Sequence, residues 1–474
     1  MKIALIRPNF GSYFQITPPL SLGYLSSSLK NNGYTDIVLV DASLDKKIPQ
    51  EVNRFLKKEN PDIIGIQVYT GSQNWVKELL VLLKSEKIHS RVIVGGPHIS
   101  GLGELSLDYL GADFGILGEG EQSIVSFAQS LENKSDFDEV DGLIFKQKGK
   151  WKTARNLFGF IDNINNIPFP DWDLLNPEKY FNYMESVSLP LKGKKPTPIL
   201  TSRGCPYQCT FCCSGVVSRH KIRYRFPKNI VSEIKYLKEK FGVDEIFFSD
   251  DNLTLNNQRA KEIFDLMIKE KLNIVWRAPN GIRIDSLTDS LVNKMAQSGC
   301  YFVGLGIETG SDKIMRNIKK NVDLNKVNEK VNLLQKYKIK SSGFFMCGLR
   351  NERRKDILKS IEFAKKIPFD RIQVCNFVPY PGSEDFNIIY DKANKKAYKN
   401  NVLKFQQNGF VPDFQTLSLT EIYKVQRKFL FDFYFRPKIL YDLLKSFKIS
   451  QLITLFKHPF FKKWMVFKKD WYDK

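Results

Sequence analysis

The chain has 474 residues, 42% of them hydrophobic, and a formal net charge of +22. A chain of this length is expected to divide into two or three domains, and its apolar content excludes an intrinsically disordered protein. The positive charge favours anionic partners such as phosphorylated substrates, nucleic acid or membrane surfaces, without choosing among them.

The lengths of the apolar runs and the pattern of cysteines predict in which cellular compartment the protein resides. No run of eighteen apolar residues occurs, and the start, MKIALIRPNF, predicts a first strand rather than a signal peptide. The seven cysteines all lie between residues 205 and 375, and four of them fall within nine residues. An odd, clustered set does not suit a secreted disulfide framework, so we expect a cytoplasmic protein with a metal site.

Strand and helix patterns alternate through the first 140 residues. Runs rich in β-branched residues predict strands at 3–6, 37–40, 63–68, 92–94 and 114–117, with helices at 20–31, 75–85 and 121–131. This alternation is typical of a parallel sheet with helices on both faces. We therefore predict an α/β fold that begins with a Rossmann-like domain at 1–140, whose ligand lies over the carboxyl ends of the strands.

A small hairpin around Gly149 and a linker rich in proline, asparagine and aspartate occupy residues 141–197. A second α/β series follows at 198–394, with strands predicted at 199–202, 245–249, 274–278, 302–306, 342–346 and 371–377. Six such repeats predict a partial (β/α)6 barrel, and the active sites of such barrels lie at the carboxyl ends of the strands.

The C-terminal region, 395–474, is predicted to be helical, basic and aromatic. From Glu421 to Lys474 there are 13 Lys or Arg against 5 Asp or Glu, together with 15 aromatic residues. This composition suits a membrane interface, an anionic amphiphile or single-stranded nucleic acid. We favour a helical cap over the barrel mouth, with the aromatic side chains inside and the lysines in solvent.

Three cysteines form the most informative motif. Cys205, Cys209 and Cys212 are spaced Cys-x3-Cys-x2-Cys directly after a predicted strand. Three thiolates in one tight loop can bind three irons of a [4Fe–4S] cluster and leave the fourth iron open to a small molecule. The alternative is a zinc site completed by His220, although no second Cys-x2-Cys pair is present.

With Phe211 just before its last cysteine, this spacing resembles that of the radical S-adenosylmethionine (SAM) superfamily. The resemblance implies that Cys205, Cys209 and Cys212 hold the cluster and that SAM chelates the free iron through its amino and carboxylate groups. Reductive cleavage of SAM would yield a 5′-deoxyadenosyl radical that abstracts hydrogen from the substrate. Cys213 lies outside the spacing and is assigned no ligand role.

Other positions of the second domain also resemble the superfamily. Asp250 and Asp251 follow the second strand, where polar groups hold the amino end of SAM, and Phe211 is assigned to the same cofactor. A cation such as Arg283 suits the carboxylate of SAM, and an acid such as Glu308 suits its ribose hydroxyls. The alternative is that Arg283 and Glu308 pair with each other or with local caps.

The first domain is similar to the cobalamin-binding domain that precedes the barrel in one large class of these enzymes. The similarity rests on Arg7-Pro-Asn, Pro18-Pro-Leu-Ser-Leu-Gly-Tyr, Gly95-Gly-Pro-His98 and Gly118-Glu-Gly-Glu121. Glycines at strand ends let the backbone approach a large flat ligand. The cobalamin site that this similarity implies comprises Tyr69, Thr70, Gly95, Gly96, Pro97, Gly118, Glu119 and Gly120.

One departure concerns the cobalt ligand. The chain lacks Asp-x-His-x-x-Gly, the motif through which other methyltransferases bind cobalt with a histidine. The class resembled here commonly lacks that motif too, so cobalamin is expected to bind with no protein histidine on cobalt. The alternative is a domain that has lost the cofactor and only packs against the barrel.

The resemblance implies an enzyme that methylates an unactivated carbon, with cobalamin donating the methyl group and a second SAM recharging the cobalt. The first alternative is a cobalamin-dependent oxidative cyclase or rearrangement enzyme. An RNA methylthiotransferase is disfavoured because the first domain has no cysteine for a second cluster. The non-enzymatic alternative is a zinc-stabilised scaffold or nucleic-acid binder.

The partners that follow are a small-molecule or lipid-like substrate and an external electron donor such as flavodoxin or ferredoxin. Nucleic acid is not favoured as a partner. The aromatic and basic C-terminal region is the part of the chain to which we assign any peripheral membrane contact.

Overall fold

The computed structural model describes residues 1–11, 16–86, 88–184, 191–390, 416–437 and 439–441. Its first domain alternates strands and helices as the sequence predicts. In chain order the elements are β1 (Ile3–Arg7), α1 (Leu20–Asn31), β2 (Ile37–Asp41), α2 (Pro49–Glu59), β3 (Ile63–Gln67), α3 (Gln73–Ser85), β4 (Arg91–Gly95), α4 (Pro97–Leu102), α5 (Glu104–Leu110), β5 (Phe114–Ile116), α6 (Glu121–Glu132), β6 (Leu143–Gln147) and β7 (Lys150–Thr153).

These strands form one seven-stranded sheet in the order β2-β1-β3-β4-β5-β6-β7. The first five strands are parallel, and β1 and β3 are buried along their whole length, as expected for strands covered on both faces. The hairpin β6–β7 adds antiparallel strands to the edge of β5. The hairpin predicted as part of the linker therefore belongs to the sheet of the first domain.

The linker packs against both domains. The Ser26 hydroxyl in α1 donates to Asp171, and the indole N–H of Trp172 donates to Glu233 of the second domain at 2.9 Å. Tyr180 is 1% exposed and donates its hydroxyl to Asp41 at the end of β2. These contacts fix the position of one domain against the other.

The second domain begins with a strand and continues as a β/α series. Its elements, with the short helix α7 of the linker, are α7 (Trp172–Leu175), β8 (Pro196–Ile199), β9 (Ser202–Arg203), α8 (Gly215–Ser218), β10 (Arg223–Tyr224), α9 (Pro227–Phe241), β11 (Glu245–Phe248), α10 (Asn257–Lys269), β12 (Val275–Ile282), α11 (Asp289–Gln297), β13 (Cys300–Glu308), α12 (Asp312–Asn317), α13 (Val327–Lys336), β14 (Lys340–Cys347), α14 (Arg354–Lys366), β15 (Arg371–Asn376), α15 (Glu384–Ile389) and α16 (Leu419–Tyr434).

Six parallel strands form the open barrel that the sequence predicts, in the order β15-β14-β13-β12-β11-β8. The first strand lies earlier than the predicted 199–202, because β8 includes Pro196 and Pro198. Proline cannot donate a backbone hydrogen bond, and β8 tolerates two because it is an edge strand with β11 as its neighbour. The apolar pattern of the sequence predicts a strand only after the second proline, where apolar residues follow one another.

The two domains meet through an apolar cluster that joins Leu102 and Leu105 to Ile314, Phe377 and Phe386. Helix α4 lies so close to the turn before α15 that a Cβ on Gly101 would stand 2.7 Å from the carbonyl oxygen of Pro381. The carboxyl ends of the first sheet therefore face the barrel mouth across a tightly packed contact.

Within the described ranges, the C-terminal region contributes the helix α16, which packs on β15 and α14 through Phe429 and Phe433. Among those same residues, no helix combines the length and the apolarity that crossing a membrane requires. Most of the predicted aromatic and basic segment, including Phe460, Phe461 and Trp464, lies outside the described residues.

Candidate active site

The three cysteines lie on the loop between β9 and α8, at the carboxyl end of the first barrel strand. Gly204 enters this loop with a φ of +86°, and a Cβ there would stand 2.3 Å from the carbonyl oxygen of Lys221. Thr210 fixes the middle of the loop, because its N–H donates to the carbonyl of Ile318 at 3.1 Å and its hydroxyl donates to Asp385 at 2.8 Å. The loop is thus held on both sides by the barrel.

The three thiols share one partly buried environment. Burial raises the pKa of Cys205 and Cys209, and it raises the pKa of Cys212 to about 12. Cys209 adds to the rise in pKa at both Cys205 and Cys212, so its sulfur lies within electrostatic range of the other two. Buried thiols with high pKa values are poor spontaneous nucleophiles but become ligands when a metal replaces their protons.

Asp250 anchors the loop from the end of β11. Its carboxylate accepts hydrogen bonds from the N–H and hydroxyl of Thr201 and from the hydroxyl of Ser202, all at 3.2 Å or less. Asp251 differs, since it is exposed to the cavity described below and accepts a 2.6 Å bond from Ser214. The direct contacts of Asp250 and Asp251 with SAM stay predictions.

Polar atoms without partners lie beside the cysteine loop. Asn252 is 1% exposed, and neither atom of its side-chain amide has a hydrogen-bond partner among the described residues. Arg283 stacks on Tyr207, with its guanidinium carbon 3.9 Å from the ring centre, while its Nε and Nη1 lack acceptors within the described part of the chain. Buried donors of this kind favour a polar ligand that completes them, and the amino acid group of SAM fits.

The structure does not pair Arg283 with Glu308, but it does give Arg283 a local partner, as the other half of that alternative predicts. Arg283 binds Asp285 at 2.9 Å and the carbonyl of Lys320 at 3.0 Å, whereas Glu308 binds the ammonium group of Lys320 at 3.0 Å. Glu308 has a backbone φ of +70° beside an irregularity in the pairing of β13 with β14. Both side chains lie at the strand ends where the resemblance implies SAM.

Lys320 is a site residue that the sequence analysis missed. Its ammonium group lies 5.8 Å from the ring centre of Phe211 and acts electrostatically on Cys209. No local pattern marks it, because it follows α12 and reaches the cysteine loop only through the packing of that helix. Phe211 therefore lies near Lys320, and its contact with SAM stays a prediction.

A cavity of about 420 Å³ lies between the domains. The predicted residues that line it are Tyr69, Gly95, Gly96, Pro97, Gly118, Glu119 and Gly120 from the first domain. Its opposite wall comes from the cysteine loop and the second barrel strand, through Arg203, Gly204, Cys213, Ser214 and Asp251. One cavity therefore joins the predicted cobalamin residues to the predicted cluster loop.

Two of the predicted glycines leave room for a flat ligand. A Cβ at Gly95 would meet no atom within 4 Å, so the space above this residue is open. Gly96 has a φ of +110°, and a Cβ there would stand 2.8 Å from the carbonyl of Val68, so this turn requires glycine. Open space over one glycine and a tight turn at the next form a cradle that fits cobalamin.

Thr70 and His98 occupy a different position from the other predicted cobalamin residues. Thr70 does not line the cavity, and its hydroxyl lies 3.1 Å from the Nδ1 of His98. His98 is 1% exposed, and burial lowers its pKa to about 3. His98 is therefore buried beside Thr70 and does not line the cavity.

Glu119 lines the cavity, but protein donors occupy both of its oxygens. Arg203 binds Oε1 at 3.0 Å, while Arg223 and the N–H of Ile161 bind Oε2. Burial alone would raise the pKa of Glu119, and the two guanidinium charges outweigh it and keep that pKa low. The Gly118-Glu-Gly-Glu121 motif alone did not predict that Glu119 would bind Arg203 and Arg223.

Sequence profiles of known families match both domains. The profile described as "B12 binding domain" matches residues 6–128, and the profile described as "Radical SAM superfamily" matches residues 199–364. The first covers the cavity-lining glycines, and the second covers the three cysteines, Asn252, Arg283 and Glu308.

Curated relatives span most of the chain. An "Uncharacterized methyltransferase" of Pyrococcus horikoshii is 29% identical over 93% of this chain and 94% of its own length. The "Anaerobic magnesium-protoporphyrin IX monomethyl ester cyclase" of Rubrivivax gelatinosus is 24% identical over 87% of this chain and 73% of its own length.

A solved structure shares the two-domain fold. The radical SAM methyltransferase TsrM from Kitasatospora setae, with cobalamin and a [4Fe–4S] cluster bound, superposes with a TM-score of 0.67. The match covers 95% of this chain and 90% of that one at 13% identity. At that identity the likeness shows the shared fold of a Rossmann-like domain followed by a barrel.

Proposed function

The chain belongs to the radical SAM proteins that carry a cobalamin-binding domain, and from that premise we propose that it methylates an unactivated carbon of a small-molecule substrate. The observation that carries the proposal is the single cavity whose walls are the glycine loops of the first domain and the cysteine loop of the second. Of the residues assigned to the cluster and SAM, Asp251 lines this cavity, so a substrate there would lie between the cobalamin residues and the loop that carries the cluster cysteines. Orientation of this kind is the main contribution of a protein to cofactor chemistry.

In this proposal the cluster and SAM supply a radical that abstracts hydrogen, and cobalamin supplies the methyl group. Cys205, Cys209 and Cys212 hold the cluster, and Asp250 keeps their loop in place. Arg283 and Asn252 donate to the amino acid group of SAM, with Asp251, Glu308 and Phe211 around the rest of the molecule. The glycines at 95, 96, 118 and 120 accept the corrin, and Tyr69 and Pro97 border it.

The first experiment is anaerobic purification with reconstitution of the cluster and titration with hydroxocobalamin. We expect an iron–sulfur spectrum, one bound cobalamin per chain and release of 5′-deoxyadenosine on reduction with SAM. Cys205→Ala, Cys209→Ala and Cys212→Ala should each abolish the cluster and this release. Cys213→Ala is the matched control, since it removes the adjacent thiol and should keep the iron content. A full cluster in any of the first three variants would overturn the ligand assignment.

The cyclase relative favours one second candidate, oxidative cyclisation or rearrangement with the same cofactors. Incubating the enzyme with trideuteromethyl-labelled SAM and a cell extract that contains the substrate distinguishes methylation from cyclisation. Methylation predicts a labelled product, with one equivalent each of 5′-deoxyadenosine and S-adenosylhomocysteine per methyl group. Cyclisation predicts 5′-deoxyadenosine with an unlabelled product that has lost hydrogen.

The enzyme needs an external electron donor, and we propose a flavodoxin or ferredoxin for that role. For the substrate we propose a lipid-like small molecule, an assignment supported by the aromatic and basic composition of the C-terminal region. The same composition supports a peripheral membrane contact. Co-sedimentation with anionic vesicles, with and without added salt, tests that contact, and no sedimentation at low salt would contradict it.

A further inference from the structure

Four charged side chains join the two domains beside the cavity. Glu119 belongs to the glycine-rich loop before α6, and Glu121 is the first residue of that helix. Arg203 and Arg223 belong to the paired strands β9 and β10. Arg203 binds Glu119 at 3.0 Å and Glu121 at 2.6 Å through separate nitrogens, and Arg223 binds the other oxygen of Glu119. We call these four residues the interdomain clamp.

The clamp residues are buried, and the geometry of their ion pairs is fixed. Glu119 and Glu121 are each 6% exposed, and Arg223 is 8% exposed. Buried ion pairs rarely stabilise a protein more than well-packed apolar residues would, but they hold their partners in one register. The planar guanidinium of Arg203 binds the two carboxylates as a fork, which fixes angle as well as distance.

The clamp acts on both cofactor sites because of where its members lie in the chain. Glu119 stands between Gly118 and Gly120, which line the cavity on the first-domain side. Arg203 directly precedes Gly204, where even a Cβ would stand 2.3 Å from the carbonyl oxygen of Lys221, and Cys205 follows in this closely packed turn. A displacement of Arg203 is therefore transmitted to the first cluster cysteine.

We propose that the interdomain clamp sets the distance between the cobalt and the iron–sulfur cluster, and that Glu119 is the positioning residue at its centre. This inference rests on the proposed function, since both metals are cofactors of that function. The substrate carbon must lie within reach of the SAM-derived radical and of the methyl group, so a fixed separation of the two sites is a condition for transfer. Glu119 serves this purpose through its carboxylate, both oxygens of which are bound by Arg203, Arg223 and the N–H of Ile161.

The test measures the separation of the two metals in the full chain loaded with cluster and cobalamin. Reduction to Co(II) and [4Fe–4S]⁺ gives two paramagnetic centres, and pulsed electron paramagnetic resonance reports their distance. We expect one narrow distribution in the wild type and a shifted or broadened one in Glu119→Gln. Glu139→Gln is the matched control, because Glu139 forms an exposed pair with Arg155 in the same domain and should leave the distribution narrow.

Arg203→Lys provides an independent disruption, since it keeps the charge but removes the fork. We expect the same broadening as in Glu119→Gln, with melting temperature and metal content near those of the wild type. A narrow, unshifted distribution in both variants would overturn the proposal. So would loss of cobalamin from Glu119→Gln alone, because that result would make Glu119 a direct ligand.

Failure of the proposed function has a different signature. If the wild-type chain takes up no cobalamin, that function fails, and hydrogen exchange in the cofactor-free chain tests the clamp instead. Glu119→Gln should then speed exchange of the amides at 202–205 while Glu139→Gln does not. Unchanged exchange in Glu119→Gln would overturn the clamp.

Discussion

Lys320 places a positive charge next to the thiol of Cys209, and this charge should tune the cluster. A nearby cation favours the reduced cluster, because reduction adds a negative charge. We predict that Lys320→Met lowers the reduction potential by on the order of tens of millivolts. A redox titration followed by electron paramagnetic resonance measures it. The control is Lys319→Met, because the Lys319 side chain is 51% exposed and its ammonium group pairs with Glu384, so solvent should screen its charge.

Glu352 carries a buried carboxyl group whose proton should affect stability. Burial raises its pKa from the ordinary 4.5 to about 8, and the N–H groups of Gly348 and Leu349 donate to its Oε2. Between these two pH values the unfolded chain has lost the proton and the folded chain keeps it. The folded state therefore binds more protons, and the stability falls as pH rises through this window and levels off above about 8.

The neutral amide in Glu352→Gln mimics the protonated carboxyl group. We predict that this variant matches the wild type near the lower end of the window and is more stable, by on the order of a few kcal/mol, at its upper end. Thermal melts across pH measure the difference. Glu362→Gln alters an exposed carboxylate that pairs with Lys365, so its effect should not change over the window.

At the level of elements, the contact of α4 with the turn before α15 depends on Gly101. A methyl group there would lie 2.7 Å from the carbonyl oxygen of Pro381, so Gly101→Ala must push the helix away from the barrel. We predict a loss of about 1–3 kcal/mol in stability, the usual cost of overpacking, measured by thermal unfolding of the cofactor-free chain. An unchanged melting temperature would show that α4 moves at no cost.

Gly95→Ala, at the end of β4, adds a methyl group where the protein leaves open space, in contrast to Gly101→Ala. Its methyl group would meet no protein atom within 4 Å and would enter the cavity instead. The cofactor-free chain should keep its melting temperature, while cobalamin affinity should fall roughly tenfold, equivalent to ~1.4 kcal/mol. Titration of the visible spectrum measures the affinity. Unchanged affinity would mean that cobalamin does not lie over Gly95.

For the whole molecule, the shared cavity couples cobalamin binding to the stability of both domains. A ligand that binds only the folded chain stabilises it by about 2.7 kcal/mol at a hundred times its dissociation constant. Since both domains form the cavity walls, we predict that hydroxocobalamin raises the melting temperature of one common transition. Differential scanning calorimetry measures it, with Gly95→Ala as the weak-binding control. Two transitions, only one of which responds, would contradict the shared cavity.

The sequence predicted the local features of this molecule well. The strands of the first domain, the barrel repeats and the cysteine loop each carry their signal within a few neighbouring residues, as the continuous apolar run at Ile63–Gln67 illustrates. The glycines at 95 and 96 were also identifiable, because glycine at a strand end already implies close approach or a special turn. The predicted bounds of β8 were too late in the chain, because prolines at 196 and 198 argue against a strand unless it lies at the edge of a sheet.

The contacts that the sequence did not predict join residues far apart in the chain. Glu119 binds Arg203 and Arg223 across more than 80 positions, and the charge of Lys320 acts on Cys209 across more than 100. Such pairs are set by how helices and domains pack, and no periodicity records them. The unpaired amide of Asn252 is likewise visible only once its surroundings are known.

Glu308 places a carboxylate on a backbone with a φ of +70°, a conformation that glycine adopts without cost and other residues adopt at about 1 kcal/mol or more. Its carboxylate is also the partner of the largely buried ammonium group of Lys320, so glycine at this position would relax the backbone and at the same time leave that cation unpaired. An engineer who ranked substitutions by backbone preference alone would choose glycine here. That choice would remove both the ion pair and the acid that we propose for the SAM site.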